Sequence, residues 1–182
     1  MIDGVLRTRT GYAGGRSTDP SYKNLEWHTE VVEIDYDPAV ISYEDLVALF
    51  FAFHDENLRP YDQRVKSLIF FRSEAEETHA RQAISRQREV TGKPVFTEAK
   101  EMDVFYLAEP EHQNRTVKRE VSLYGELTEI FETDDRLQQS ILVSKLNGFV
   151  YGYGSPEDLE DLLNQLGLSD MSKGRVREIH GR

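Results

Sequence analysis

Glu30 follows Trp27 and His28 at the entry to Thr29–Tyr36, where apolar and acidic residues alternate. A carboxyl partly shielded by an indole can serve as a proton donor at neutral pH. The plainer alternative is an acid on a strand surface, the commoner fate of a glutamate. Tyr12 and Tyr22 flank the glycines of "GYAGG", residues 11 to 15. Each phenol is either an anchor for the chain or a hydrogen-bond donor to something bound beside it. His54-Asp55 falls where a helix should end, a position that suits histidine through the negative end of the helix dipole. His112 in "AEPEHQ" has the chemistry of a base or ligand, but the five histidines are scattered singly and no metal site is expected. There is no cysteine, so these residues form no disulfide, bind no metal through thiolate and perform no thiol chemistry of their own.

Charge narrows the partners. Acidic residues number 33 against 22 basic, a net charge of −11 that repels phosphate backbones and anionic membranes. Neither nucleic acid nor a membrane is an expected partner. No stretch approaches the roughly 18 apolar residues of a membrane span, and the first residues lack a basic-then-apolar leader, so a cytoplasmic location is expected. With 38% hydrophobic residues in 182, the chain can bury one substantial core.

The elements that must hold these groups are readable in part. "GVLRTRTGYAGG" predicts a strand running into a glycine turn, and "TEVVEIDYDP" a second strand ended by Asp37-Pro38. Ser42 with Asp45 resembles a capping box, opening a helix to about His54 with Leu46, Leu49, Phe50 and Phe53 inward. "KSLIFF" reads as a buried strand. Ser73 with Glu76 opens a polar helix that Gly92 and Pro94 stop near Thr91, and "FTEAKEM" offers another strand. Beyond residue 115 the chain becomes helical, with Leu137, Ile141 and Leu142 inward in one helix. A last helix starts at Ser155-Pro156 and buries Leu159, Leu162, Leu163 and Leu166. The expected organisation is residues 1–115 as one domain, 116–169 as a helical C-terminal extension and 170–182 as a flexible tail. The expected fold class is an α/β (α+β) two-layer sandwich, a mixed sheet covered by helices with a ferredoxin-like core.

"GYAGG" at 11–15, "DPSY" at 19–22, "HTEVVEIDYDPAVISYEDLVALFF" at 28–51, "HD" at 54–55 and "FYLAEPEHQ" at 105–113 together resemble the A-type peptide methionine sulfoxide reductases. "SKLNGFVYGYG" resembles the C-terminal extension of some members. The resemblance implies a shallow pocket where a thiolate attacks the sulfur of an S-epimer methionine sulfoxide in a protein, a repair of oxidative damage. It further implies a sulfenic acid recycled by thioredoxin or another thiol reductant, with no bound cofactor. Tyr22 matches the tyrosine that hydrogen-bonds the sulfoxide oxygen, and Glu30 the acid that protonates it. Tyr12, Trp27, Tyr61 and Asp62 fall where substrate is bound.

Three departures qualify the match. "DQRVKS", residues 62–67, puts Val65 where the family has a second tyrosine, and Trp27 stands where a glycine is common. The family's Gly-Cys-Phe-Trp-Gly motif, which supplies the nucleophile and two aromatics, has no counterpart in this sequence. A phenol and a carboxyl stabilise a departing oxygen but do not attack sulfur, and loss of a nucleophile can cost roughly 10⁶-fold in turnover. The same loss would expose an apolar face or a strand edge. Three readings stay open: a truncated reductase, by one route a selenoprotein whose selenocysteine codon was read as a stop; a non-catalytic binding module; and a scaffold using its exposed edge.

Overall fold

Ser42 opens the first helix, α1 (Tyr43–Phe53), by a reciprocal cap: its hydroxyl accepts from the Asp45 N–H while the Asp45 carboxylate accepts from the Ser42 N–H. Ser73 caps α2 (Glu74–Thr91), its hydroxyl accepting from the Glu76 N–H at 3.2 Å while the Glu76 carboxylate accepts from the Arg72 N–H, and Gly92 ends the helix in the left-handed region at φ +62°. These local signals set the helix bounds in the computed structural model, which describes residues 2–181.

The strands form two small sheets in place of the one sheet expected. In the first, β1 (Val5–Ala13) lies between β2 (Thr29–Tyr36) and β5 (Phe105–Leu107). The β1–β5 pair is antiparallel, with Gly11 opposite Leu107 and Ala13 opposite Phe105. In the second, β3 (Leu68–Phe71) and β4 (Glu98–Glu101) run parallel, Leu68 opposite Glu98 and Phe71 opposite Glu101. A parallel pair needs a crossover, and α2 supplies it. The class is mixed α/β, as the sequence implies.

Two compact units make up the chain: Thr10–Ala108, and Glu109–Arg182 joined by Met1–Arg9. In the first, α1 and α2 pack on β3 through Val47, Phe51, Ile69, Ala80, Ile84 and Val95. The inward face of α1 is displaced from the expected one. Val47 and Phe51 are buried, whereas Phe53 is 77% exposed. Every residue of "LVALFFAF" is apolar, so periodicity leaves the inward face open and packing against α2 selects it.

The second unit is all helix apart from its share of β1: α3 (Arg115–Arg119), α4 (Val121–Phe131), α5 (Asp134–Gln139), α6 (Ile141–Val150), α7 (Pro156–Gln165) and α8 (Asp170–His180). The single helix expected across Leu137 and Ile141 is two, because Ser140 leaves α5 and caps α6. Leu137 is buried and Ile141 exposed. Leu159, Leu162, Leu163 and Leu166 are all buried, as their spacing predicts. Residues 170–180, expected as part of a flexible tail, form α8: Ser169 caps it, Val176 is fully buried, and Ile179 packs on the same cluster. No helix among the described residues is long and apolar enough to cross a membrane.

Candidate functional site

The glycine turn is built by close approach. A Cβ on Gly11 would lie 2.3 Å from the Phe105 ring, and one on Gly15 would lie 2.2 Å from the His28 ring. With that space free, His28 is buried against the turn. Its Nδ1 accepts from the Gly15 N–H at 3.1 Å, its Nε2 donates to the Ser17 carbonyl at 3.0 Å, and its ring meets Tyr106 edge-on. His28 is thereby committed to holding the loop that carries Tyr22. Tyr12, expected beside substrate, is 1% exposed and belongs to the core, where its strand position places it.

Thr29, buried beside His28, donates to the Gln63 carbonyl at 3.0 Å, and the Gln63 amide donates to the Trp27 carbonyl at 2.8 Å. These bonds fasten a short 3-10 turn, Gln63–Val65, to the start of β2. Asp62 caps that turn, accepting from the Arg64 N–H at 2.8 Å. The outcome is the placement of Arg64. Its Nε stands 3.6 Å from Glu30 Oε1, its guanidinium lies over the Tyr22 ring at 4.6 Å from the centroid, and its Nη2 donates to the Tyr22 carbonyl at 3.3 Å.

Tyr22, Trp27, Glu30 and Asp62 are thus gathered around one turn, where Arg64 meets Tyr22 and Glu30 and Gln63 holds Trp27. Arg64 is not legible as a site residue in "DQRVKS", where the family resemblance points to a phenol at the Val65 position. What signal there is lies in Asp62, a capping residue two positions before an arginine. Glu30 Oε1 and Arg64 Nε are both sealed from solvent and neither has a hydrogen-bond partner, since 3.6 Å exceeds hydrogen-bond length. A sequestered polar atom left unsatisfied is uncommon in native structures. The indole expected to shield Glu30 is instead 67% exposed, and the group beside the carboxylate is a guanidinium. Tyr61, at 86% exposure, is on the open surface.

Glu30 also lines a cleft of about 530 Å³ together with Val31, Val32 and Glu33 of β2, Leu68 to Phe70 of β3, and Phe50 of α1. Successive residues of a strand point to opposite faces, so a cleft lined by consecutive residues runs along a strand edge. Both β2 and β3 present their edges to it. Tyr43 donates from α1 to the Phe70 carbonyl at 3.0 Å, and burial first, then the nearby Glu76 and Glu44 carboxylates, hold its phenol well above the ordinary tyrosine range. Arg72 meets Glu33 at 3.6 Å beside the same cleft.

His54 caps α1, its Nδ1 donating to the Phe50 carbonyl at 2.6 Å while its Nε2 meets Ser67 at 2.9 Å. His112 belongs to a 3-10 turn of the helical unit, Pro110–His112. Among the described residues no three His, Asp or Glu side chains gather as a metal site.

A family model described as peptide methionine sulfoxide reductase matches residues 1–142. The chain is similar to the peptide methionine sulfoxide reductase of Drosophila melanogaster, 36% identical over 169 residues, which cover 91% of this chain and 67% of that protein. It is likewise similar to peptide methionine sulfoxide reductase A5 of Arabidopsis thaliana, 36% identical over 160 residues, 81% of this chain and 60% of that protein. The chain therefore spans about two thirds or less of the length of these relatives. Methionine sulfoxide reductase A of Corynebacterium diphtheriae superposes with a TM-score of 0.56 at 25% identity, covering 65% of this chain and 66% of that one. The reduced form of Mxr1 from Saccharomyces cerevisiae shares the fold, with a TM-score of 0.59 at 24% identity over 65% of this chain and 74% of that one.

Proposed function

Because the chain belongs to the peptide methionine sulfoxide reductase family, we propose that residues 10–108 carry the oxygen side of a methionine S-sulfoxide site. Tyr22 donates a hydrogen bond to the sulfoxide oxygen, and Glu30, in its acid form, delivers the proton with which that oxygen departs. The observation that carries this reading is the convergence of Tyr22 and Glu30 on Arg64, which the turn at 62–65 holds against both. The Glu30 side chain is 35% exposed, so part of it remains open to a bound substrate.

Attack on sulfur requires a thiolate or selenolate. In balanced form, RS⁻ plus sulfoxide plus H⁺ gives RSOH and the thioether; a dithiol of the thioredoxin class then returns RSOH to RSH, becoming a disulfide and releasing water. These 182 residues contain no cysteine, so residues 1–182 alone bind without turning over. The slot between the β2 and β3 edges is the place for a strand that brings the nucleophile to Glu30, since an unpaired edge takes a strand through its free N–H and C=O groups. The overall role is repair of oxidised methionine in the cytoplasm.

The test joins a strand-forming segment ending in Gly-Cys-Phe-Trp-Gly ahead of residue 1 and measures reduction of dabsylated methionine S-sulfoxide with dithiothreitol. Turnover by the fusion, absent from residues 1–182 alone and from the fusion with Ser for Cys, is expected. Turnover by residues 1–182 without the added segment would overturn the reading, as would an inert fusion whose cysteine remains reactive to thiol reagents.

A further inference from the structure

Trp27 is held in a conformation that tryptophan rarely adopts. Glu26 and Trp27 have φ +41° and +72°, and the His28 N–H donates to the Leu25 carbonyl at 2.8 Å. Two successive positive φ values closed by such a bond form the pattern of a type I′ turn, which normally takes Asn, Asp or Gly at its centre. A large side chain at φ +72° is a genuine outlier, maintained only when the surroundings over-determine it. Here they do. The Arg16 N–H donates to the Glu26 carbonyl at 3.2 Å, Asn24 donates to the Glu26 carboxylate at 3.1 Å, and Gln63 holds the Trp27 carbonyl.

The indole so positioned is 67% exposed, so the core gains little from it. The Cα of Trp27, three residues before Glu30, lies within about 11 Å of the Cα of Glu30 even along a fully extended chain, the span of about three residues of a bound peptide. The same Gln63 that grips Trp27 belongs to the turn that presents Arg64 to Glu30.

We infer that Trp27 is a specificity-determining residue: its indole packs on the main chain flanking an oxidised methionine and makes the site prefer a peptide-bound sulfoxide over the free amino acid. This rests on the reading of Glu30 and Tyr22 as the oxygen site. A free amino acid bound there would present a hydrated ammonium and carboxylate to the indole, whereas a peptide presents uncharged amide planes that lose less on leaving water.

Trp27 is the sole tryptophan, so its emission in residues 1–182 reports directly on this contact. The probes are free L-methionine S-sulfoxide and the blocked tripeptide acetyl-Gly-Met(O)-Gly-amide, titrated by fluorescence for the native chain and by calorimetry for W27G and W27F. The tripeptide should bind the native chain about tenfold more tightly than the free amino acid, equivalent to about 1.4 kcal/mol. In W27G the two affinities should converge, with W27F between. W27G should also melt at a higher temperature, because glycine adopts φ +72° without strain. A preference retained in W27G overturns the inference, as does an equal loss for both probes, which would make Trp27 a residue that merely holds the loop. Equal binding of the two probes by the native chain also overturns it, while leaving the oxygen site intact. Binding of neither would remove the oxygen-site reading and this inference together.

Discussion

Arg64 approaches Glu30 to 3.6 Å between Nε and Oε1, too far for a hydrogen bond and near enough for an ion pair. With side chains 36% and 35% exposed, the pair should contribute less than about 1 kcal/mol to stability. Its value lies in orientation. Arg64→Ala should therefore shift the denaturant midpoint only slightly, yet weaken methionine sulfoxide binding measured by calorimetry. Arg64→Lys should restore little, since lysine lacks the planar group that covers Tyr22. A large loss of stability with unchanged binding would make the pair a fold element instead.

Glu30→Gln should slow sulfoxide reduction by about 10² to 10⁴-fold in a form supplied with a thiol nucleophile, because the amide cannot give up a proton to the departing oxygen. Substrate affinity should change much less. A rate equal to that of the parent would remove Glu30 from the mechanism.

Gly15→Ala forces a methyl group to within 2.2 Å of the His28 ring and 2.4 Å of the His28 backbone nitrogen. The cost should be about 1–3 kcal/mol, as for overpacking elsewhere. Gly125→Ala makes the contrast: it lies within α4 with no neighbour inside 4 Å, and should stabilise by about 0.5–1 kcal/mol. Urea unfolding of both variants decides it, and a Gly15→Ala protein as stable as the parent would show that the turn does not depend on this approach.

In the helical unit, Glu126 fastens the start of α8. Its carboxylate accepts from the Ser172 hydroxyl and from the Ser169 N–H and hydroxyl, the last at 2.9 Å. The Ser172 bond, above all, holds its pKa below the ordinary glutamate value of 4.5. A carboxyl lowered on folding contributes stability above its unfolded pKa, and that contribution is lost as pH falls through the folded value. The parent should therefore lose stability below about pH 4.5 more steeply than Glu126→Gln, as measured by urea unfolding across pH 3 to 6. Parallel profiles would exclude Glu126 as the acid-sensitive tie.

What the sequence determined by itself is local. Ser42 with Asp45, Ser73 with Glu76 and Gly92, and Ser155 with Pro156 place helix ends because each cap is completed within three or four residues. The quartet of leucines in α7 is legible for the same reason, one spacing and one inward face. The motifs that announced the family also placed Tyr22 and Glu30 at their positions along the chain. Tertiary structure decided the rest. β5 is only three residues, Phe105–Leu107, and exists through its pairing with β1. The inward face of α1 was chosen by α2, and α8 is helical because Val176 has a core to enter. Arg64 joins the site only when Gln63 and Thr29 bring distant segments together. Caps and periodicities are short-range properties of the chain, whereas edges, inward faces and ion pairs depend on surfaces that folding alone brings within reach.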